Sequence, residues 1–369
     1  MHPREVLGEA LRNLWTGVGR PLALAGAFAL LVGGISFFDA RVLVDANQKV
    51  AAWRDSGASI TIVHAERSID GAACDALAGV AGISGAGAGR TRPDGLPLPA
   101  LPLGSPTFAE VTPGFARLIA TAASGSATPG AATRDSLDQG GLLLSEALAK
   151  TLDRGPGTDL DTGHGRARVA GAYATPDDGR LTTLGYAALA QVPANGLFDY
   201  CWVEIWPPDP ATAALARAAV AAERVSDVDV SVGQLNPTHG DHLDALALYQ
   251  ERPTRFAPVA AVAAGLLLGL VGVRLRRLEI ASAMHAGVTR RALRAQLGIE
   301  TSVWVGVGAA MAAPAIWFAV HVGNPLPAGP MAAPMAVVFA TGMIATLTGA
   351  LTGLELIREA DLFTYFKNR

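Results

Sequence analysis

Three short stretches bring together side chains whose types could do chemistry. HGDHLD sets His239, Asp241, His242 and Asp244 close together, and TDLDTGH adds Asp159, Asp161 and His164. Imidazoles and carboxylates are what a bound cation needs, but neither spacing matches a closed zinc pattern or an EF-hand loop. HGDHLD reads instead as a solvated helix start. GAGAGRT at 85–91 offers glycines whose N–H groups could cradle a phosphate. Five positions before Gly89 stands Ser84 rather than glycine, Arg90 replaces the required lysine, and a proline-rich loop follows instead of a helix. The stretch is a flexible glycine turn, and no ATPase site is legible. Serines and threonines are plentiful, yet no G-x-S-x-G elbow presents one as a nucleophile. The expectation is a chain with no catalytic, cofactor-binding or metal-ligating residues of its own.

The remaining chemistry is cationic. RLRRLEIASAMHAGVTRRALRAQ, residues 274–296, gathers Arg274, Arg276, Arg277, Arg290, Arg291 and Arg294 in a chain whose net charge is only -3. Such a cluster at helical spacing binds nucleic acid or an anionic surface, or marks the cytoplasmic side of a membrane protein. Its flanks decide between these. Charged residues make up 17% of the 369 residues, against about 25% in soluble proteins, and mean hydropathy is +0.32. The apolar residues concentrate near the N-terminus and after residue 256.

Four uncharged runs are long enough to cross about 30 Å of hydrocarbon: 21–38, 256–273, 302–320 and 334–354. Before the first, Val6, Leu7, Ala10, Leu11, Leu14 and Trp15 share one helical face against Arg4, Glu5, Glu9, Arg12 and Asn13, which predicts a helix at 1–20 lying on the membrane and feeding the first span. That pre-segment is too long and amphipathic for a cleaved signal, and no A-x-A site follows Phe38. Pro314 should kink the third span. Arg4, Arg12 and Arg20 precede the first span, the arginine cluster at 274–301 joins the second to the third, and Arg358, Lys367 and Arg369 lie in the 355–369 tail. The turn at 321–333 has no Lys or Arg. The positive-inside rule then puts both termini and the cluster in the cytoplasm and residues 39–255 outside, in a multi-pass protein of the cell membrane. Nucleic acid is no longer needed to explain the arginines.

The exterior segment is too long for a loop and should be a folded α+β domain. SITIVHAE, VEIWP, VDVSVG and GRARVAGAYAT read as strands. PATAALARAAVAAERV and SLDQGGLLLSEALAKTLDR read as helices, and RTRPDGLPLPALPLGSPT as a surface connection. DHLDALALYQER runs helically toward the second span as a stalk. Cys74 and Cys201 both fall in this region, where a bridge is allowed and two separate thiols are equally compatible. Gly265 with Gly269, and Gly349 with Gly353, are spaced to let membrane helices approach closely.

One span, a large exterior domain and three further spans with an arginine-rich loop after the second resemble the FtsX-like permease subunits of MacB-type (type VII) ABC transporters. The match is densest at 274–306, where a basic run, Glu279 and Ile280, a small-residue helix, and Gly287, Thr289, Arg290 and Arg291 follow the family pattern, with Val288 where alanine is usual. GLLLSEALAKTL with GRARVAGAYAT, and REVLGEALRNLW, are similar to the family's exterior domain and entry helix. The resemblance implies a homodimer, or a pair with a related permease, bound to a separate ABC ATPase that holds the ATP and Mg. It also implies that the loop carries a coupling helix, for which Arg276, Arg277, Glu279, Ile280, Met284, Gly287, Thr289, Arg290 and Arg291 are the candidates. Ala281, Ala283, Met284 and Ala286 offer a small apolar face for an ATPase groove. The expected work is export or extraction of a peptide, antimicrobial or lipid-like substrate. The alternatives are an FtsX-like signalling subunit that regulates cell-wall hydrolases without transport, which usually has a smaller exterior domain, and a membrane-anchored enzyme or receptor.

Overall fold

The computed structural model describes residues 3–17, 20–101, 104–122, 135, 137, 140–163, 165–209, 214–224, 228–240 and 242–367. His164, Asp241 and Arg369 lie outside the described residues. The chain divides into two compact units, Met1–Lys49 with Leu246–Arg369, and Val50–Ala245.

The chain opens with α1 (Pro3–Thr16) and α2 (Pro21–Asp55). Pro21 supplies a preset φ at the first helical position. α2 continues well past the apolar run that ends at Phe38, and a π-helical turn at Ala29–Gly33 interrupts it.

The second unit is α+β. Its strands β1 (Ile60–Asp70), β2 (Ile83–Arg92), β3 (Thr107–Val111), β4 (Leu142–Ser145), β5 (Asp159–Thr162), β6 (Gly165–Tyr173), β7 (Ala187–Gln191), β8 (Leu197–Ile205) and β9 (Ser231–Gln234) form one sheet in the order β5-β6-β4-β7-β3-β2-β8-β1-β9. β3 with β7 and β4 with β6 pair in parallel, and the other neighbours are antiparallel. α3 (Gly71–Ala76), α4 (Pro113–Ala122) and α5 (Glu146–Leu152) pack beside it. Side chains alternate across the central strands. Tyr200 and Trp202 of β8 join Phe115 and Leu189 in one core, whereas Cys201 and Val203 join Val63, Ala88 and Cys74 in another. Cys74 and Cys201 are disulfide-bonded and fully buried.

Four readings are corrected. GAGAGRT is not a turn: it lies inside β2, paired with β8 and β3, and Gly87 and Gly89 make room there for Phe115 and the Tyr200 ring. SLDQGGLLLSEALAKTLDR is not one helix among its described residues: Gly140 and Gly141 take φ of 71° and 131°, and Leu142–Ser145 becomes a strand between β6 and β7. Only then does Ser145 cap α5, accepting from Leu148 N. The alanine-rich stretch after residue 213 forms two 3-10 turns, Ala216–Ala219 and Ala222–Arg224, because Val220 bridges to Ile69 and Ala221 N donates to Ser68 O. Sheet bonding there overrides alanine's helix preference. The stalk is interrupted too: α6 (Ala245–Gln250) ends before Pro253, which cannot continue it.

The first unit resumes with α7 (Ala257–Arg274), α8 (Arg277–His285), α9 (Arg290–His321), α10 (Ala332–Glu355) and α11 (Leu362–Lys367). α9 runs on through Pro314, and it merges the expected third span with the end of the basic loop. Among the described residues four helices are long and apolar enough to cross a membrane: Pro21–Asp55, Ala257–Arg274, Arg290–His321 and Gly329–Glu355. Their common core holds Phe28, Val32, Ala261, Leu268, Trp304 and Val338. Outward faces carry Leu30, Val259, Leu267, Met311, Phe318 and Ile344, all exposed. At one end of this bundle Asp39, fully buried, accepts from Arg252 Nε at 3.0 Å and from the Thr254 hydroxyl.

Candidate functional site: the arginine-bracketed helix

α7 ends where its apolar run ends. Arg276 is the N-cap of α8, and Gly287, at φ 87°, reverses the chain two residues beyond its last turn. Gly287 N donates to Met284 O and Val288 N to Ala283 O, which satisfies carbonyls the helix end leaves open. Thr289 Oγ1 then accepts from Ala292 N at 3.3 Å and caps α9.

The helix so framed turns its apolar side into its own chain. Ile280, Ala281 and Met284 are buried with Val273, Leu293, Leu297, Leu354 and Ile357. The face expected to enter an ATPase groove through Ala281 and Met284 is therefore internal, and Ala283 is half-buried. What faces outward is Glu279, Ser282, His285, Ala286 and Gly287. Beside Glu279 lies a groove of about 430 Å³, lined among others by Glu9 and Asn13 of α1, Ile280 and Ala283 of α8, and Gln296 of α9.

The arginines divide in the same way. Arg276 donates from Nη1 to Glu300 Oε2 and from Nε to Glu279 Oε2 at 3.1 Å. The Arg276 and Glu300 side chains are only 12% and 6% exposed. Asn13 Nδ2 and Gln296 Nε2 donate to Glu300 Oε1 at 2.9 and 3.1 Å, so one carboxylate ties α1, the start of α8 and α9 together. Burial works against the charge on Arg276, but the Glu300 and Glu279 carboxylates more than offset it and hold the guanidinium above its ordinary pKa. Arg277 lies over the Tyr365 ring, 5.2 Å from its centroid. Arg290 donates to Glu355 Oε2 at 3.3 Å and to Ile357 O at 2.9 Å, and Arg294 to Glu355 Oε1 at 2.8 Å. Arg291 is exposed.

The spaced glycines lie within the chain's own helix contacts. A Cβ at Gly265 would come 2.4 Å from Gly342 O, one at Gly269 would come 2.1 Å from Thr346 O, and one at Gly349 would come 2.3 Å from Leu266 O. A Cβ at Gly353 would meet Val273 Cβ at 3.1 Å. α7 and α10 thus touch backbone to backbone.

Sequence reasoning missed Glu300, Asn13 and Glu355. The signal was present in LGIETSVW, where one glutamate sits at the mouth of an apolar run and so needs a partner. Among the described residues no group of three or more His, Cys, Asp or Glu side chains is placed to hold a metal ion.

No family model matches the sequence, and no curated protein matches it. Among solved structures, the crystal structure of the periplasmic region of MacB from Actinobacillus actinomycetemcomitans aligns at a TM-score of 0.35 and 11% identity. That alignment covers 51% of this chain and 94% of the other.

Proposed function

We propose that this chain is the permease subunit of a MacB-type ABC transporter, passing the motion of a separate ATPase to the unit between its first two spans in order to export or extract a peptide, antimicrobial or lipid-like substrate. The observation that carries the reading is the short helix Arg277–His285, set between two of the four long apolar helices and clasped at its start by the Arg276–Glu300 pair. A push on α8 reaches α9 and α1 through one buried carboxylate, whose three partners hold those helices together. Such a transmission needs helices that shift as bodies, and well-packed interfaces switch between arrangements rather than deform gradually. The ATPase, which holds the ATP and Mg, docks on Glu279, Ser282, His285 and Arg291 and in the groove beside Asn13.

Arginine placement supports a cytoplasmic position for this loop and both termini. The Cys74–Cys201 disulfide supports an oxidising compartment for the α+β unit. The outward apolar faces of the spans suit lipid on one side and a second permease chain on the other. Co-expressed with its ATPase and reconstituted in nanodiscs, the chain should co-purify with that subunit and stimulate ATP hydrolysis. Arg291→Glu should cut the stimulation about tenfold with thermal melting unchanged, an interface charge pair being worth roughly that much. An ATPase that neither co-purifies nor responds would end the permease reading. Arg290→Glu tests the fold rather than docking, because Arg290 is bound to Glu355 and Ile357 O.

A further inference from the structure

The α+β unit contains a cavity of about 300 Å³ that the transport reading does not use. Its origin is legible in the strand register. Ile62 and His64 of β1 stand opposite Trp202 and Tyr200 of β8 on one side, and opposite Gly233 and Ser231 of the edge strand β9 on the other. Two aromatic rings therefore border two residues that have almost no side chain, and the sheet face falls away between them. The loop at 181–184 walls the depression with Leu181, Thr183 and Leu184. A Cβ built on Gly233 meets nothing within 4 Å, so the space is open rather than filled by a neighbour.

The lining states what belongs there. Among the described residues it includes no Lys, Arg, Asp or Glu: Ile62, Leu184, Tyr200 and Trp202 give apolar walls, and the polar groups are hydroxyls, the Gln234 amide and the His64 imidazole. A charged guest would lose its hydration and gain no counter-charge. The Tyr200 hydroxyl is buried beside Thr91, so Tyr200 offers this space its ring rather than its polar group. Ligand sites combine such apolar walls with a small number of polar groups, and about 300 Å³ is the lower end of their size.

We infer that this cavity is a binding site for a neutral, ring-bearing apolar molecule, which packs against the Tyr200 and Trp202 rings. The site belongs to the α+β unit alone and stands whether or not the chain couples to an ATPase.

Benzophenone is such a molecule, and light attaches it to the C–H bonds it touches. Full-length protein in nanodiscs is irradiated over a series of benzophenone concentrations, and labelled peptides are located by mass spectrometry. Labelling of the spans through the lipid is the internal reference. Peptides holding Leu181–Leu184 and Ser231–Gln234 should label saturably. Gly233→Trp, which fills the mouth from the edge strand, should reduce that labelling at least tenfold, and Thr183→Trp, which fills it from the loop, should do the same. Near-UV circular dichroism and an intact disulfide show that each variant is folded. Labelling of these peptides that rises without saturating, or that survives in either folded Trp variant, overturns the site.

Discussion

Arg276 and Glu300, 24 positions apart, form an ion pair with side chains 12% and 6% exposed, whereas Arg290 and Arg294 meet Glu355 at the surface. Removing one member of such a pair leaves an uncompensated buried charge, at a cost of about 3–5 kcal/mol. Glu300→Ala should lower the unfolding free energy of the reconstituted chain by about that amount. Glu300→Gln keeps an acceptor for Asn13 and Gln296 and should cost less than half as much. Denaturant titration followed by intrinsic fluorescence decides this, and two variants of equal stability would contradict the clasp.

The helix glycines make predictions of opposite sign at two positions, one on α7 and one on α9. Gly269→Ala must push against Thr346 O, a backbone atom on α10, and should destabilise the bundle by about 2 kcal/mol or more. Gly306→Ala, on α9 with nothing within 4 Å of the added methyl, should be neutral or stabilise by up to about 1 kcal/mol. Thermal melts of the two variants should move in different directions, and a tolerated Gly269→Ala would show that α7 and α10 are not packed through this contact.

Hydropathy is enough to find the four long helices, because a run without charge has few alternatives at that length. It misses how far they extend. α2 continues to Asp55 because Ala40, Leu43 and Val44 still bury an apolar face against Val320, Met331 and Met335, a stripe too diluted by Arg41, Asp45 and Lys49 to register as a span. Strand Leu142–Ser145 is equally invisible locally, since LLLSEALAK has helical composition and only pairing with Val169–Tyr173 and Ala188–Ala190 makes its first four residues extended. At the candidate site the loop's position and its caps follow from residue type and order. Which arginines are free does not, because Glu300, Glu355 and Tyr365 come from other elements. The cavity beside Gly233 depends on cross-strand register, which a single sequence does not display.

The disulfide gives a test of compartment and stability at once. Cys74 and Cys201 are separated by 127 positions, and closing a loop of that order restricts the unfolded chain by about 5 kcal/mol. Cys74→Ala with Cys201→Ala should lower stability by roughly that much. In protein taken directly from membranes and unfolded under thiol-blocking conditions, neither cysteine of the wild type should react with maleimide. Full reaction of both would place this unit in a reducing compartment and remove a support for the proposed orientation.

Acid should loosen the loop that walls the cavity, and the sign follows from one carboxylate. Asp178 receives two hydrogen bonds from the Arg180 guanidinium, at 2.9 and 2.7 Å, and one from Arg180 N at 3.3 Å, and the guanidinium reaches on to Asp55 O at 2.9 Å. Asn236 Nδ2, fully buried, donates to Asp178 O and to Ser56 O, so the segment leading to Leu181 is pinned at both ends of this small network. The Arg180 hydrogen bonds are the main reason that the Asp178 carboxyl is held below its ordinary pKa. A depressed carboxylate pKa gives stability that is complete above the unfolded value of about 3.9 and is lost as pH falls through the lower folded value. The wild-type melting temperature should therefore drop through that window more steeply than that of Asp178→Asn, and the two curves should converge at the acid end. Hydrogen exchange at residues 179–184 should accelerate in the wild type over the same range. Exchange there that is independent of pH, after correction for the intrinsic rate, would show that Asp178 does not hold the wall.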